Sequence, residues 1–470
     1  MAKRTLNSLE RFYYYRGELN VLSSIFVAVQ LNKLPTKEQL FQTLKKLIEE
    51  YPQLHCNIFK DETNGELIIK SIEKRPIEFD DVVEYVSSRD DDEGINDIFK
   101  NYQFPYHVEK PLWKILIDRD KRRQTLVVNH VLFDGISCVK FWESFFMTLN
   151  DLSAEEGDNN EALFSPQVDV NTVPVVHPYE NWPVTWKYVI LRPLLATIFK
   201  WSPSALLRLN PNLFQFKSYI FPSGLLESKK DNMKTGFQIR NDNCQFILKL
   251  SSVKLKRVLR ECKSNKVSLT SFLASLICLT LKNTSKSDDY KGSILKVDIP
   301  MNTRKALGDR FNDLDSKTLQ LGNLVASLQI QKDMNDLDDI WAAAKDFQHG
   351  LKLQSVDNIN ETINNTKLLD VVDEADFVIE KLKTNGPPGT FEITNLGFQS
   401  FCLKENPDAE FIVEDSIFNE PQSTASIFTC AVVSTQLGGL TCSISYPREI
   451  KSQFQPFVDS ISNYFSTRED

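Results

Sequence analysis

A chain of 470 residues, 41% hydrophobic and 25% charged, is too long for one ordinary core and too apolar to remain disordered, so it reads as a globular protein of two domains or two lobes with a cleft between them. Its formal net charge of −8, with no Lys/Arg block, offers no footprint for nucleic acid. The opening residues lack the apolar core of a signal peptide, and no segment reaches the roughly 20 uncharged apolar residues that span a bilayer, so the expected location is the cytosol or a membrane surface.

In chain order, the first lobe opens with a helix at "SLERFYYY" and a strand at "LSSIFVAVQLN". The amphipathic "TKEQLFQTLKKLIEEYP" follows, with Leu40, Leu44, Leu47 and Ile48 on one helical face. "PLWKILID" and "QTLVVNH" flank the charged turn "RDKRR" and predict a β-hairpin. Beyond Asp134-Gly135, the stripe Ile136, Val139, Trp142, Phe146 and Leu149 predicts a helix. The acidic, proline-dotted stretch that follows reads as a connection between lobes.

Residues 186–214 are aromatic and apolar but interrupted by Lys187, Arg192, Pro193, Lys200, Pro203 and Arg208. Their charges forbid a span. A helix pair packed on the body is the plain expectation, and an interfacial membrane contact is the other. The second lobe begins near "CQFILKL" and alternates strands with helices to the hairpin "SIFTCAVVSTQLGGLTCSISYP", which turns at Gly438-Gly439. The boundaries expected are 1–180 for an N-terminal lobe, 181–240 for a connecting segment with membrane contact as its alternative reading, and 241–470 for a C-terminal lobe, both lobes mixed α/β.

Chemistry concentrates at "TLVVNHVLFDGIS", an H-x-x-x-D-G pattern of His130, Asp134 and Gly135 where a strand hands over to a helix. A buried histidine and aspartate each need a polar partner, so the pattern is awkward as plain structure, although a strand-end histidine bonded to a neighbour is the structural alternative. Competing chemistries are poorly served, since the chain has no G-x-S-x-G, no H-E-x-x-H and no phosphate loop. The eight cysteines are scattered without zinc spacing, and nothing in the sequence lowers the pKa of Cys138, eight residues past His130.

The segments "SLERFYYYRGELNV", "PLWKILI…TLVVNHVLFDGIS", "VDIPMNTR", "LGNLVASLQI", "TNLGFQSF…ENPDAEF" and "TASIFTCAVVSTQLGGLTCSISYP" together resemble the fungal alcohol acetyltransferase family, including its branch that N-acetylates sphingoid bases. The resemblance implies the α/β, two-lobed chloramphenicol acetyltransferase-like fold, with mixed sheets flanked by helices and the active site between lobes. It implies His130 as general base and Asp134 as a carboxylate paired with an arginine, which Arg304 of "PMNTR" would supply. Gly135 would let the chain turn tightly behind the histidine. It further implies acetyl-CoA as co-substrate, no tightly bound cofactor, no metal, and a hydrophobic alcohol or amine as acceptor. A monomer in the cytoplasm, or peripheral to the endoplasmic reticulum or lipid droplets, is the matching expectation. The D-F-G-W-G of plant relatives is absent, and "TNLGF" stands in its place, which makes Asn395 and Gly397 candidates for substrate or CoA contact beside their plain reading as turn residues. Two acceptors stay open, small alcohols and long-chain amino alcohols. A non-catalytic ligand-binding protein of the same fold is a further alternative, against which stands the presence of His, Asp, Gly and Arg together.

Overall fold

The structure, a computed structural model, describes residues 3–88, 91–152, 162–166, 176–202, 212–219, 226–228, 237–239, 242–311, 319–383, 389–401, 407–422 and 425–467. Helix α1 (Ser8–Glu18) starts behind Asn7, whose side chain accepts from the Glu10 N–H while the Glu10 carboxylate accepts from the Asn7 N–H. This capping box satisfies two donors that a helix start leaves open. Strand β1 (Ser24–Leu31) is buried along nearly its whole length, and α2 (Lys37–Glu50) begins with a second capping box, Thr36 with Gln39, and turns Leu40, Leu44, Leu47 and Ile48 inward as their spacing requires. Strands β2 (Val83–Val86), β3 (Trp113–Asp118) and β4 (Arg123–Asn129) precede α3 (Gly135–Asn150), and the expected hairpin is present as the antiparallel β3–β4 pair, Trp113 opposite Val128 and Asp118 opposite Arg123.

Next come α4 (Trp186–Trp201), β5 (Asn243–Leu250), α5 (Leu269–Thr284), β6 (Ile294–Asn302), β7 (Val325–Asp333), α6 (Glu374–Leu382), β8 (Gly389–Gln399), β9 (Val413–Asn419), β10 (Ser426–Thr435) and β11 (Gly439–Pro447). Two mixed sheets organise these elements. The first runs β9-β1-β4-β3-β2 and the second β5-β11-β10-β8-β6-β7. Parallel pairing joins β2 to β3, β6 to β8 and β8 to β10, and the remaining pairs are antiparallel. The position of β9 is not anticipated by a division at 181–240, because this strand from the second half forms the edge of the first sheet, Asn419 opposite Phe26. A sequence pattern marks a strand without naming its neighbour. Here the consequence is that the two lobes share a strand.

The stripe on α3 fills the first core. Phe141, Trp142, Phe145 and Phe146 are fully buried, Trp142 meeting Phe141 and Phe145 edge to face and stacking on Phe146, and the Trp142 indole N–H donates to the Val27 carbonyl at 3.0 Å. Each such side chain contributes about 1.5–3 kcal/mol by leaving water. Helix α4 departs from the expected packed pair. Trp186, Ile190, Leu194 and Trp201 are exposed, and only Tyr188 and Phe199 are buried. The helix is anchored by two aromatic side chains, the Tyr188 hydroxyl donating to Asp370 at 2.7 Å and the Phe199 ring 6.1 Å from that of Phe377, with the half-exposed pairs of Lys187 with Glu361 and Arg192 with Asp370 beside them, rather than by its apolar stripe. The rest of that expected pair, residues 203–211, lies outside the described residues. Among the described residues no single helix is long and apolar enough to cross a membrane.

Candidate active site

Strand β4 ends at Asn129, and His130 sits on the turn before α3. The next three residues, Val131, Leu132 and Phe133, are buried and anchor that turn in the core. Both main-chain groups of His130 are fixed: its N–H donates to the Ser23 carbonyl at 3.2 Å, and its carbonyl accepts from the Asn323 side chain at 2.8 Å. The imidazole lies against the Tyr13 ring, centroids 4.3 Å apart. Burial, helped by the positive charge of Arg16, pushes its pKa down to about 4 against the opposing pull of Asp134. The ring is therefore neutral at pH 7, as a proton acceptor must be.

Asp134 caps α3, accepting from the Ser137 N–H at 2.8 Å. The same carboxylate receives Arg304 in a two-pronged pair, Nη1 to Oδ2 at 2.8 Å and Nη2 to Oδ1 at 2.9 Å, and the Leu324 N–H at 2.9 Å. Burial alone would raise its pKa, but Arg304 and these N–H donors outweigh burial and hold it below the usual carboxylate range. With its lone pairs taken by Arg304 and the main chain, Asp134 ties the turn to the second lobe and has little capacity left to orient the His130 ring. Arg304 is itself buried, and it also donates to the Leu319 carbonyl at 2.7 Å.

Gly135 is needed for a different reason from the tight turn expected. It begins a helix with no left-handed backbone, but a Cβ there would lie 2.7 Å from the Leu396 side chain and 3.2 Å from that of Phe418. Glycine lets these two side chains close over the start of α3. Cys138 is completely buried, and burial raises its thiol pKa, so no thiolate is available there.

A cavity of about 560 Å³ opens at His130, lined by Asp134, Gly135 and Tyr13 and by residues of both sheets. Part of its wall is apolar, with Phe12, Leu22, Ile25, Phe377 and Phe418. The rest carries Asp298, Glu392 and Glu420 beside Arg16 and Lys381. Sequence reasoning passed over these five residues and Tyr13 and Asn323. The available signal was an acid flanked by apolar residues within the strands "VDIP" and "TFEIT", a burial cost that a core does not accept without reason.

Asn395 and Gly397 do not line this cavity. They form an irregularity in β8, where the register against β10 shifts between Asn395 and Phe398, the Gly397 N–H donates to the Asn395 side chain at 2.8 Å and Gly397 has φ +78°. A larger hollow of about 820 Å³ borders Leu116 and Thr125 of the first sheet and includes none of the His130 constellation. Among the described residues no group of three or more His, Cys, Asp or Glu is arranged to hold a metal ion.

Comparison with known proteins places this geometry. Residues 5–467 match the sequence model described as alcohol acetyltransferase. Over 466 residues the chain is 35% identical to the N-acetyltransferase SLI1 of Saccharomyces cerevisiae (strain ATCC 204508 / S288c), covering 98% of this chain and 99% of that protein. The fold is similar to that of the TRI3 trichothecene 15-O-acetyltransferase from Fusarium sporotrichioides, with a TM-score of 0.65 at 13% identity over 98% of this chain and 94% of the other. It is also similar to the first condensation domain of the calcium-dependent antibiotic synthetase, with a TM-score of 0.60 at 11% identity over 99% and 97%. The two-lobed chloramphenicol acetyltransferase-like architecture expected from the sequence is thus the observed one, and this chain belongs to the alcohol acetyltransferase family.

Proposed function

We propose that this acetyltransferase carries the acetyl group of acetyl-CoA to the amine of a long-chain amino alcohol, within one ternary complex and with His130 as general base. The observation that carries this reading is the lining of the cavity. It combines a neutral buried imidazole, an apolar wall and a patch of carboxylates, which suits an amphiphile with a cationic head better than a short neutral alcohol. The yeast protein 35% identical to it is named an N-acetyltransferase, which supports an amine as the acceptor.

In this scheme the amine nitrogen attacks the thioester carbonyl, the C–N bond forms and the C–S bond breaks. His130 takes the proton that the nitrogen sheds and returns it to the departing CoA sulfur, so no acyl-enzyme is needed. The enzyme's main contribution is to hold the two substrates in line, since a thiolate leaves readily. The test is acetyl-CoA turnover, followed by released thiol, against long-chain amines and short alcohols. A higher kcat/KM for the amine is expected, and a clear preference for isoamyl alcohol would overturn the amine acceptor. The alcohol reading has one specific support, the description of the family. It would place a greater demand on His130, because a hydroxyl is a poor nucleophile until its proton is being removed.

We further propose that α4 rests on a lipid surface. It exposes Trp186, Ile190, Leu194 and Trp201 and contains no acidic residue, while Lys200 supplies positive charge for anionic headgroups, Lys187 and Arg192 being paired with Glu361 and Asp370. A membrane-borne acceptor would then be close to its enzyme. Liposome co-sedimentation with and without anionic lipid tests this, and absence of binding to both kinds of vesicle would end it.

A further inference from the structure

Of the polar residues facing the cavity, Asp298, Glu392 and Glu420 are the hardest to explain as structure. Asp298 on β6 and Glu392 on β8 stand directly opposite each other in a parallel pair, an arrangement in which like charges destabilise a sheet. Glu420, which follows β9, is only 5% exposed, and its Oε1 has no hydrogen-bond partner among the described residues although it borders the cavity. A buried carboxylate oxygen without a partner costs stability unless something else occupies its lone pairs.

The surroundings allow a count of charge. Apart from Asp134, which Arg304 neutralises, three carboxylates line this cavity against two cations, Arg16 and Lys381. Gln329, opposite Asp298 on β7, hydrogen-bonds the Asp298 carboxyl but carries no charge. One negative charge is left over. Burial raises both the Glu392 and Glu420 carboxyls, and the neighbouring charge, Asp298 for Glu392 and Glu392 for Glu420, raises each further, so the pair shares a proton near neutral pH. A cation entering beside them can take the place of that proton without leaving a net charge in the cavity.

Resting on the amine reading above, we infer that Glu392 and Glu420 form a subsite for the acceptor's cationic head, with Asp298, Arg16 and Lys381 setting its charge so that a primary ammonium is accepted and a neutral hydroxyl is disfavoured. The three N–H donors of an ammonium meet the free Oε1 of Glu420 and the oxygens released by the shared proton. Before attack the ammonium hands one proton back to this carboxylate pair, which leaves the neutral amine that the thioester requires, and the second proton, shed as the C–N bond forms, goes to His130. The alkyl chain follows the apolar wall at Phe12 and Phe377. Glu392 and Glu420 are therefore specificity-determining residues, distinct from the base.

Two experiments separate this inference from the reading beneath it. Wild-type turnover of a long-chain amine reports the acceptor class, and failure there ends the amine reading itself. The subsite is tested by binding alone, with octylguanidinium, whose head stays cationic at any accessible pH. Calorimetry near pH 7 in two buffers of different ionisation heat should show binding with release of about one proton per ligand. Binding without proton release, or no binding, overturns the subsite even where amines are turned over. In kinetics, Glu420→Gln should lower the ratio of kcat/KM for an amine to that for an alcohol of equal chain length by about 10- to 100-fold, the range for losing a hydrogen bond to a charged group. A structural role alone would reduce both acceptors together, so an unchanged ratio overturns the subsite whatever happens to overall activity. Should Glu420→Gln not fold, Glu392→Gln is read in the same assays with the same expected outcomes.

Discussion

Two charged clusters meet in one cavity and differ in how completely they are satisfied. At Asp134 and Arg304 the carboxylate accepts from the guanidinium at two points and from two main-chain N–H groups, and the guanidinium is engaged in turn by Leu319 and Asn302. At Glu392 and Glu420, carboxylates face each other with an open oxygen and a surplus negative charge. The first arrangement is closed to any ligand and can only hold parts of the fold together. The second is completed only by something that is not part of the chain. A buried ion cluster is thus read by its remaining hydrogen-bonding capacity rather than by its charges alone.

The sharpest test of this contrast lies on the histidine that lines the same cavity. His130→Ala should lower kcat by about 10² to 10⁴ while leaving the fold in place, as removal of a general base does. Comparable turnover in a folded variant would remove His130 from the chemistry. With an alcohol acceptor, whose own protonation does not intervene, the acid limb of wild-type kcat/KM should fall near pH 4 rather than near the ordinary histidine value, because burial lowers the imidazole to about 4.

Breaking the closed cluster should act on stability. Arg304→Ala leaves Asp134 buried without its counter-charge and should cost about 3–5 kcal/mol in urea unfolding, with a double-mutant cycle against Asp134→Asn showing strong non-additivity. Additive effects would mean that the pair is not one unit.

The two clusters should also respond to pH with opposite sign. Asp134 titrates in the fold below its unfolded value, so its contribution is present above that unfolded value and is lost as pH falls through the folded one. Glu392 is raised to about 7, first by burial and then by Asp298, so between its ordinary value near 4.5 and 7 the folded chain keeps a proton that the unfolded chain has released. Stability therefore declines as pH rises through that window. Glu392→Gln should flatten the decline and raise Tm by a few degrees at pH 8, and a wild-type Tm independent of pH between 5 and 8 would contradict this account. The smallest effect is expected on α4, where replacing Trp186, Ile190 and Leu194 by serine should weaken liposome binding and change unfolding by only about 0.5 kcal/mol per site, as surface positions do. A large loss of stability would show that these side chains are packed rather than exposed.

The sequence by itself determined what is local. Asn7 with Glu10, Thr36 with Gln39 and Asp134 with Ser137 each fix a helix start within three residues, and the alternation in "PLWKILID…QTLVVNH" fixes a hairpin, because the groups that must be satisfied are close along the chain. Arg304 was legible only through resemblance, since 170 residues separate it from Asp134. The carboxylate subsite was not legible, because the register of β6 on β8 and the crossing of β9 to the first sheet bring together residues 298, 392 and 420, and hydrophobic period marks strands without assigning their neighbours. Helices α3 and α4 make the same point on burial. Both have 16 residues and are rich in aromatic and apolar side chains, yet one fills a core and the other presents its tryptophans to solvent. Apolar residues show that a helix has surface to bury, and whether it is buried depends on the surface opposite, which only the tertiary structure supplies.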